Sequence, residues 1–459
     1  SAVWGKEMAT AATIYSSLWS EPVDAQLATA LTGFAAMRTE VQKNDDGALP
    51  WDGYERFSQH LAASSASGNA TEQADMERLR LALLPAYQVQ KSAFLEKQAK
   101  NYFWENRFSR AMDSYAALID FEPGNQEARF DYGQSQCAIG LCDGAGKAYE
   151  ELLAISPLHN LSSLALAQQR RQNNPALAVE HSFWQERGRG DLADMDRQQT
   201  DLTFTLPLFC RFRVEAIGHR WHESAGYADP IDANGFGLRI SGVANQFLRG
   251  AFELHQKHYE GDGFADLTSG SGELWFNLKD TLRLGLGLER RDELANRFAM
   301  AQGIQADHWW FGLVAPLSRR LELAGHTEML DYNDGNRGNM SSLSLGYAFT
   351  DHPRLFKISI KGESRDTRSP NIYLYQGDQL TDIVHPYWTP ANYTAGTLEF
   401  EWLHDLSTRQ FCGNEQHGYD LKLGLVTDSE NNPALRLEGK YLYEFAEHWR
   451  LELKGLLHS

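Results

Sequence analysis

No stretch of this chain approaches the roughly 18 consecutive apolar residues that a spanning helix needs, so no membrane helix is expected. Strands remain open, because transmembrane strands alternate and escape hydropathy averaging; a mean hydropathy of −0.48 is compatible with them. A basic excess is also missing. The net charge of −18 argues against a nucleic-acid partner, which would need a basic face. The four cysteines form no C-x-x-C or C-x-x-C-H, so zinc ribbons and c-type haem have no support. His308-Trp309-Trp310, His326 and His385 show no metal-ligand spacing, and no cofactor is expected. Asp232-Ala233-Asn234-Gly235 and Asp331-Tyr332-Asn333-Asp334-Gly335 do not complete a calcium loop with its closing Glu, so both read as turns. The opening Ser1-Ala2-Val3-Trp4 lacks the basic and apolar regions of a signal peptide. Either the protein is cytoplasmic or the sequence starts after cleavage; the second is expected.

What is present is globular in composition, with hydrophobic residues at 42% and charged residues at 23% over 459 positions. The length suffices for two or three domains. Up to about residue 175 the pattern is helical: Ala and Leu are dense, Gly is sparse, and Leu27, Leu31, Phe34 and Met37 recur at helical spacing. A 34-residue period runs through the later part. Pro123 and Pro157 stand that far apart, and Ala111 with Ala145, Tyr115 with Tyr149 and Leu118 with Leu152 keep step. Gly133 falls where a helix pair needs close approach, and Tyr102 marks the preceding copy. Residues 1–90 are expected to be helical, with room for degenerate repeats, and 91–175 to hold the recognisable ones. Their period is that of the tetratricopeptide repeat, which they resemble; such repeats stack into a solenoid whose concave face takes a partner.

Beyond Asn174-Pro175 the period changes to two. Leu202, Phe204 and Leu206 alternate with Thr203 and Thr205, and Phe356, Ile358 and Ile360 with Lys357 and Lys361. Leu282, Leu284, Leu286 and Leu288 alternate with Arg283, Gly285, Gly287 and Glu289. Near the end, Leu435, Leu437, Tyr441, Tyr443 and Phe445 share one parity and Arg436, Glu438 and Lys440 the other; the pattern restarts at Trp449. Successive side chains of a strand point to opposite faces, so every such segment carries one apolar and one charged face. Connections alternate too. Short ones lie near Leu208, Ala244-Asn245, Lys279-Asp280, Ser318-Arg319, Asp351-Pro353 and Glu447-His448; longer ones lie near 222–234, 258–270, 290–304, 333–339 and 366–392. Short periplasmic turns opposite long outer loops are the outer-membrane arrangement. Residues 176–459 are therefore expected to form an antiparallel transmembrane barrel of about 16 strands, after the helical solenoid, with its apolar face on lipid. Leu282, Leu284, Leu286 and Leu288 are expected on the lipid face, and Arg283 and Glu289 on the lumen face. About 15 strands can be counted. A barrel with both termini in the periplasm needs an even number. The expectation is a sequence lacking one downward strand; a missed strand in 290–306 or 366–392 is the alternative.

The charged face would line water. It carries Arg213, Arg239, Arg249, Arg283, Arg320, Lys357, Lys361, Lys422, Arg436 and Arg450 among Glu215, Glu253, Glu289, Glu322, Glu399, Glu401, Glu438 and Glu452. A lumen holding itself by cross-strand ion pairs and a polar conduit for a hydrophilic chain are compatible readings. Glu399 and Glu401 share a face, as a glycosidase pair would, but among so many charges no enzyme is expected.

Tyr387-Trp388-Thr389-Pro390-Ala391-Asn392-Tyr393 stands before a late strand. With repeats first and barrel last, it resembles the outer-membrane exporters of bacterial cellulose and poly-N-acetylglucosamine, over about 91–459. The resemblance implies a periplasmic repeat domain that recruits polymer and periplasmic or inner-membrane synthesis proteins, and a barrel in the outer-membrane bilayer that passes an exopolysaccharide outward. The alternative is a plugged barrel serving as a binding or scaffold protein of the envelope. Cys137 and Cys142 flank the Ile139-Gly140 turn of one repeat, where a local disulfide or two buried thiols both fit. Cys210 and Cys412, near expected periplasmic turns, form a second candidate pair.

Overall fold

The computed structural model describes residues 54–55, 58–59, 62, 70–186, 195–225, 228–261, 263–407, 411, 416–446 and 449–458. Most of the expected 1–90 helical region, the Glu447-His448 turn and Cys412 lie outside these. Helix α1 spans Ala70–Trp104, α2 Phe108–Phe121, α3 Gln126–Ala138, α4 Cys142–Ile155 and α5 Asn160–Gln172. Helices α2 and α4 begin at 108 and 142, and α3 and α5 at 126 and 160, so both offsets repeat the 34-residue spacing of the prolines. Pro123 and Pro157 fall in the turns within each pair. Ala111, Tyr115 and Leu118 are buried, and so are Ala145, Tyr149 and Leu152. Spacings of four and three put each trio on one helix face, which is why the same residue types recur.

The chain divides into two units, Ser1–Tyr102 with Asp113–Ala128, and Phe103–Met112 with Arg129–Ser459. In the first, the Lys100 ammonium bonds the Glu96 carboxylate one turn back and that of Glu127, and Tyr87 meets Phe121 edge-on at 5.7 Å. In the second, α3 and α4 touch closely. A Cβ on Gly133 would lie 2.5 Å from the Tyr149 ring, so any larger residue there would have to push the ring aside.

The rest of the second unit is strand. Among the described residues, fifteen strands form one antiparallel sheet in which each pairs with the next of the fifteen along the chain. They are β1 Ala176–Glu186, β2 Met195–Leu208, β3 Phe212–Ala225, β4 Ala228–Asn245, β5 Leu248–Glu260, β6 Leu267–Asn277, β7 Arg283–Asp292, β8 Gln305–Pro316, β9 Leu321–Tyr332, β10 Arg337–Ala348, β11 Arg354–Thr367, β14 Tyr393–Asp405, β15 His417–Asp428, β16 Pro433–Ala446 and β17 Trp449–His458. Between β11 and β14 a separate hairpin holds β12 Ile372–Gln376 and β13 Gln379–Val384. A short helix, α6 Arg297–Ala301, stands between β7 and β8. The sheet is not closed: β1 and β17 are its two edges.

Several expected boundaries move. Strands β3 and β4 run through most of 222–234, expected as a loop. Strand β6 enters 258–270, and its Gly- and Ser-rich first half offers no apolar contrast to read. The 366–392 connection contains the β12–β13 hairpin, and 290–304 contains α6. The turn pattern also has an exception: the β14–β15 connection, at the end of the sheet where short turns prevail, runs from 406 to 416.

One face of the sheet carries a band of exposed apolar side chains, giving way to polar ones such as His222, Asp232, Arg290 and Asp307 towards the long-loop ends. Leu274, Leu286 and Phe311, directly opposed on β6, β7 and β8, are 43%, 45% and 44% exposed. Large apolar groups in a continuous patch this size do not belong on a water-facing monomer surface. No helix among the described residues is long and apolar enough to cross a membrane, which says nothing of strands.

Candidate functional site

The opposite face is polar, and register brings the expected charges together on it. Glu215, Arg239 and Glu253 are consecutive partners across β3, β4 and β5. The Arg239 Nε lies 3.8 Å from both carboxylates. Lys357, Glu401, Lys422 and Glu438 follow one another across β11, β14, β15 and β16. Lys357 reaches Glu322 at 3.2 Å, Arg436 reaches Glu438 and Arg450 reaches Glu452, each at 3.2 Å, and Lys361 reaches Glu363 at 3.0 Å. Glu399 stands opposite Ser359 and Glu289 opposite His308. Arg320 sits in the turn before β9 rather than on the strand. Exposed pairs of this kind contribute about 1 kcal/mol or less each, so their consequence is a wetted, sign-alternating surface rather than a tight core.

Periodicity did not reveal two features of this face. On β7, Gly285 and Gly287 are floors for indoles: a Cβ would lie 2.8 Å from Trp275 and 2.4 Å from Trp310. The two rings stand 5.6 Å apart, with Arg249 over Trp275 and His326 beside Trp310. Further along, Asp201, His219, His255 and Glu253 form a continuous hydrogen-bonded row across β2, β3 and β5, with His219 Nδ1 2.7 Å from Asp201 and its Nε2 2.8 Å from His255 Nδ1. Glycines between leucines and histidines at two-residue spacing were the available signal.

The polar face is concave, because one segment touches it on both sides. The β7–β8 connection turns inward. Met300 of α6 is buried among Met195, Trp221, Ile231, Tyr259 and Leu267, all on the polar side of β2–β6. Arg197 donates to the Leu294 carbonyl at 3.2 Å. On the other side Ala299 and Ile304 pack with Tyr387, and Tyr332 of β9 joins them. Asn296 donates to the Pro386 carbonyl at 2.9 Å, and Gln302 to the Ile383 carbonyl at 2.9 Å and to Asp382 at 2.7 Å. Residues 293–304 and 382–388 thus cover the end of the face away from α3–α5. The aromatic stretch belongs to this cover. Tyr387 is buried, stacks on Tyr332 at 4.0 Å and donates to Asp334 at 3.0 Å, with its hydroxyl pKa raised by burial. Trp388 lies under Arg365 at 4.9 Å and meets Tyr393 edge-on; Pro390 precedes β14 and accepts from the Thr367 amide at 2.8 Å.

At the other end the helices are clasped to the turns. The bridge is Cys142–Cys210, with Cα atoms 6.0 Å apart. This corrects both expected pairings. Cys142 is the first residue of α4 and faces the β2–β3 turn, whereas Cys137, in the last turn of α3, packs beside Tyr149 and Phe411. Cys137 is itself oxidised. The next residue repeats the link: Asp143 takes a two-point bond from Arg211, both contacts at 2.6 Å, and those bonds hold its carboxyl below the usual range. The β6–β7 turn presents Asp280 to the start of α2, where it accepts from the Ser109 amide at 2.7 Å. Phe209, Cys210, Lys279 and Asp280 all adopt positive φ. That backbone costs non-glycine residues on the order of 1 kcal/mol each, and these contacts offset it. Finally Phe411, from the long β14–β15 connection, is buried with Ala145, Tyr149 and Ala165 and meets Phe130 edge-on. The length of that connection lets it reach the helices.

No protein-family model matches the chain, and no curated protein matches its sequence. Among solved structures it is similar to a bacterial polysaccharide outer membrane secretin, at 14% identity and a TM-score of 0.47, over 62% of this chain and 94% of that one. It is also similar to OccK10 (OpdN) of Pseudomonas aeruginosa, at 11% identity and a TM-score of 0.29, over 62% and 91%. The siderophore receptor PirA of the same organism aligns at 10% identity and a TM-score of 0.29, over 62% and 71%. At such scores these likenesses bear on nothing that follows.

Proposed function

We propose that this chain is an outer-membrane conduit through which a bacterial exopolysaccharide leaves the cell. A periplasmic tetratricopeptide-like domain receives the polymer or recruits its synthesis proteins. One observation carries the reading: a concave, sign-alternating polar face backed by a band of exposed apolar side chains on the other face. Lipid takes the outer face and water the inner one. A row of charges and two indoles suits a hydrated sugar chain, which hydrogen-bonds to the first and stacks on the second. The Cys142–Cys210 bridge fits an oxidising compartment for the clasped helices. The repeated helix pairs and the 387–393 stretch support the exporter resemblance.

The cover formed by 293–304 and 382–388 favours a second reading, a sealed barrel serving as an envelope scaffold. Single-channel recording on the reconstituted chain separates the two. For a conduit, Asn296→Ala with Gln302→Ala, which removes four of the cover's hydrogen bonds, raises the open probability over wild type. A barrel that stays non-conducting in that variant, and in one lacking 295–302, is the scaffold.

A further inference from the structure

At the helix end of the polar face lies a cavity of about 900 Å³. Its wall is dominated by cations, which is unexpected in a chain of net charge −18. Three acids line it, and each is engaged. Glu105 pairs with Arg107 at 3.5 Å. Asp280 accepts from the Ser109 amide and from Asn277. Glu322 is shared between Lys357 at 3.2 Å and Arg283 at 3.8 Å. Arg213, Arg249 and Arg320 also line the cavity and make no ion pair among the described residues. All three are exposed.

Arg249 is also positioned. Its guanidinium is held 5.6 Å from the centre of the Trp275 ring. The indole can lie where it does only because Gly285 has no side chain. Arg249 feels Arg283 as a like charge and Glu273 as an opposite one, and an anion between the two arginines would relieve the repulsion. Guanidinium groups are weakly hydrated and fork-shaped, which matches carboxylate and sulfate geometry, and one already held in place, as Arg249 is over Trp275, loses little order on binding.

We propose that this cavity receives an anionic segment of glycan, a sugar chain bearing carboxylate or sulfate groups, and so selects the cargo as it leaves the helices for the polar face. The inference rests on the conduit reading for its role but not for its measurement. A neutral glucan would leave the three guanidiniums unanswered, and a cationic amino-sugar chain would be repelled.

The test is calorimetric binding of oligogalacturonate, cello-oligosaccharide and chitosan oligomer to the full chain in nanodiscs, at low and moderate salt. Oligogalacturonate is expected to bind at least about tenfold more tightly than either other probe, and to weaken as salt rises. Arg213→Gln with Arg249→Gln should lower its affinity about tenfold or more, Arg249→Lys less, and Trp275→Ala should lower it with all charges kept. If the double variant does not fold, Arg213→Gln alone carries the comparison. Equal binding of the three probes, or oligogalacturonate binding untouched by these substitutions, overturns the proposal. Conductance reports separately: a conducting chain indifferent to oligogalacturonate keeps the conduit and loses the anionic cargo, whereas a chain that binds it but never conducts keeps the site and loses the conduit.

Discussion

Placing arginine at Leu286 separates a lipid-facing surface from a water-facing one by the sign of the outcome. Leu286 stands in the middle of β7, opposite Leu274 and Phe311 on the same face, with nearly half its surface uncovered by protein. In water, exchanging a half-exposed leucine for arginine is close to neutral, within about 0.5 kcal/mol. At a bilayer midplane the same exchange costs about 2–4 kcal/mol, falling towards about 0–1 kcal/mol near the interfaces. The larger value corresponds to a loss of more than a hundredfold in the folding equilibrium. The neighbouring Ser271, opposite Glu289 on the polar face, is the control, since arginine there meets water and a carboxylate. The assay is reversible denaturant-driven folding into vesicles, with both variants compared with wild type. A Leu286→Arg chain as stable as wild type, or a Ser271→Arg chain penalised equally, would refute the assignment of faces and with it the conduit.

Four further outcomes are expected. A non-reduced digest analysed by mass spectrometry should contain the Cys142–Cys210 peptide pair and lack Cys137–Cys142; replacing Cys142 and Cys210 by serine should lower stability by about 2–5 kcal/mol in chemical unfolding. Gly133→Ala, which in an open helix would gain about 1 kcal/mol, should instead lose about 1–3 kcal/mol in thermal unfolding, because its Cβ meets the Tyr149 ring. The Asp143–Arg211 bond contributes stability in full above the unfolded carboxyl pKa near 3.9, and it fades as pH falls through the lower folded value. Half-exposed as it is, the bond should account for less than about 1 kcal/mol, seen as a shallower acid limb of the unfolding curve in Arg211→Ala. Gly287→Val should displace the Trp310 indole and shift tryptophan emission, while Gly455→Val, where nothing lies within 4 Å, should not.

Local periodicity carried much of this molecule. Side chains alternate along a strand whatever it pairs with, so Leu284, Leu286 and Leu288 were separable from Arg283 and Glu289 before any partner strand was known, whereas Leu282, expected with them, lies in the turn before β7. The helix pairs were legible for the same reason: Ala111-Tyr115-Leu118 and Ala145-Tyr149-Leu152 repeat because one packing problem is solved twice. Where contrast failed, so did the reading, as in the Gly- and Ser-rich first half of β6. Tertiary structure alone decided what meets across the chain. Nothing near Cys142 announces Cys210, because their 68-residue separation is closed by the docking of α4 on the β2–β3 turn. Nor does the 293–304 segment show that it folds inward: Met300 is an apolar residue in a loop until Trp221, Ile231 and Tyr259 supply its pocket. Period encodes which way a side chain points; which distant group it points at is set by curvature and docking, and these belong to the assembled sheet.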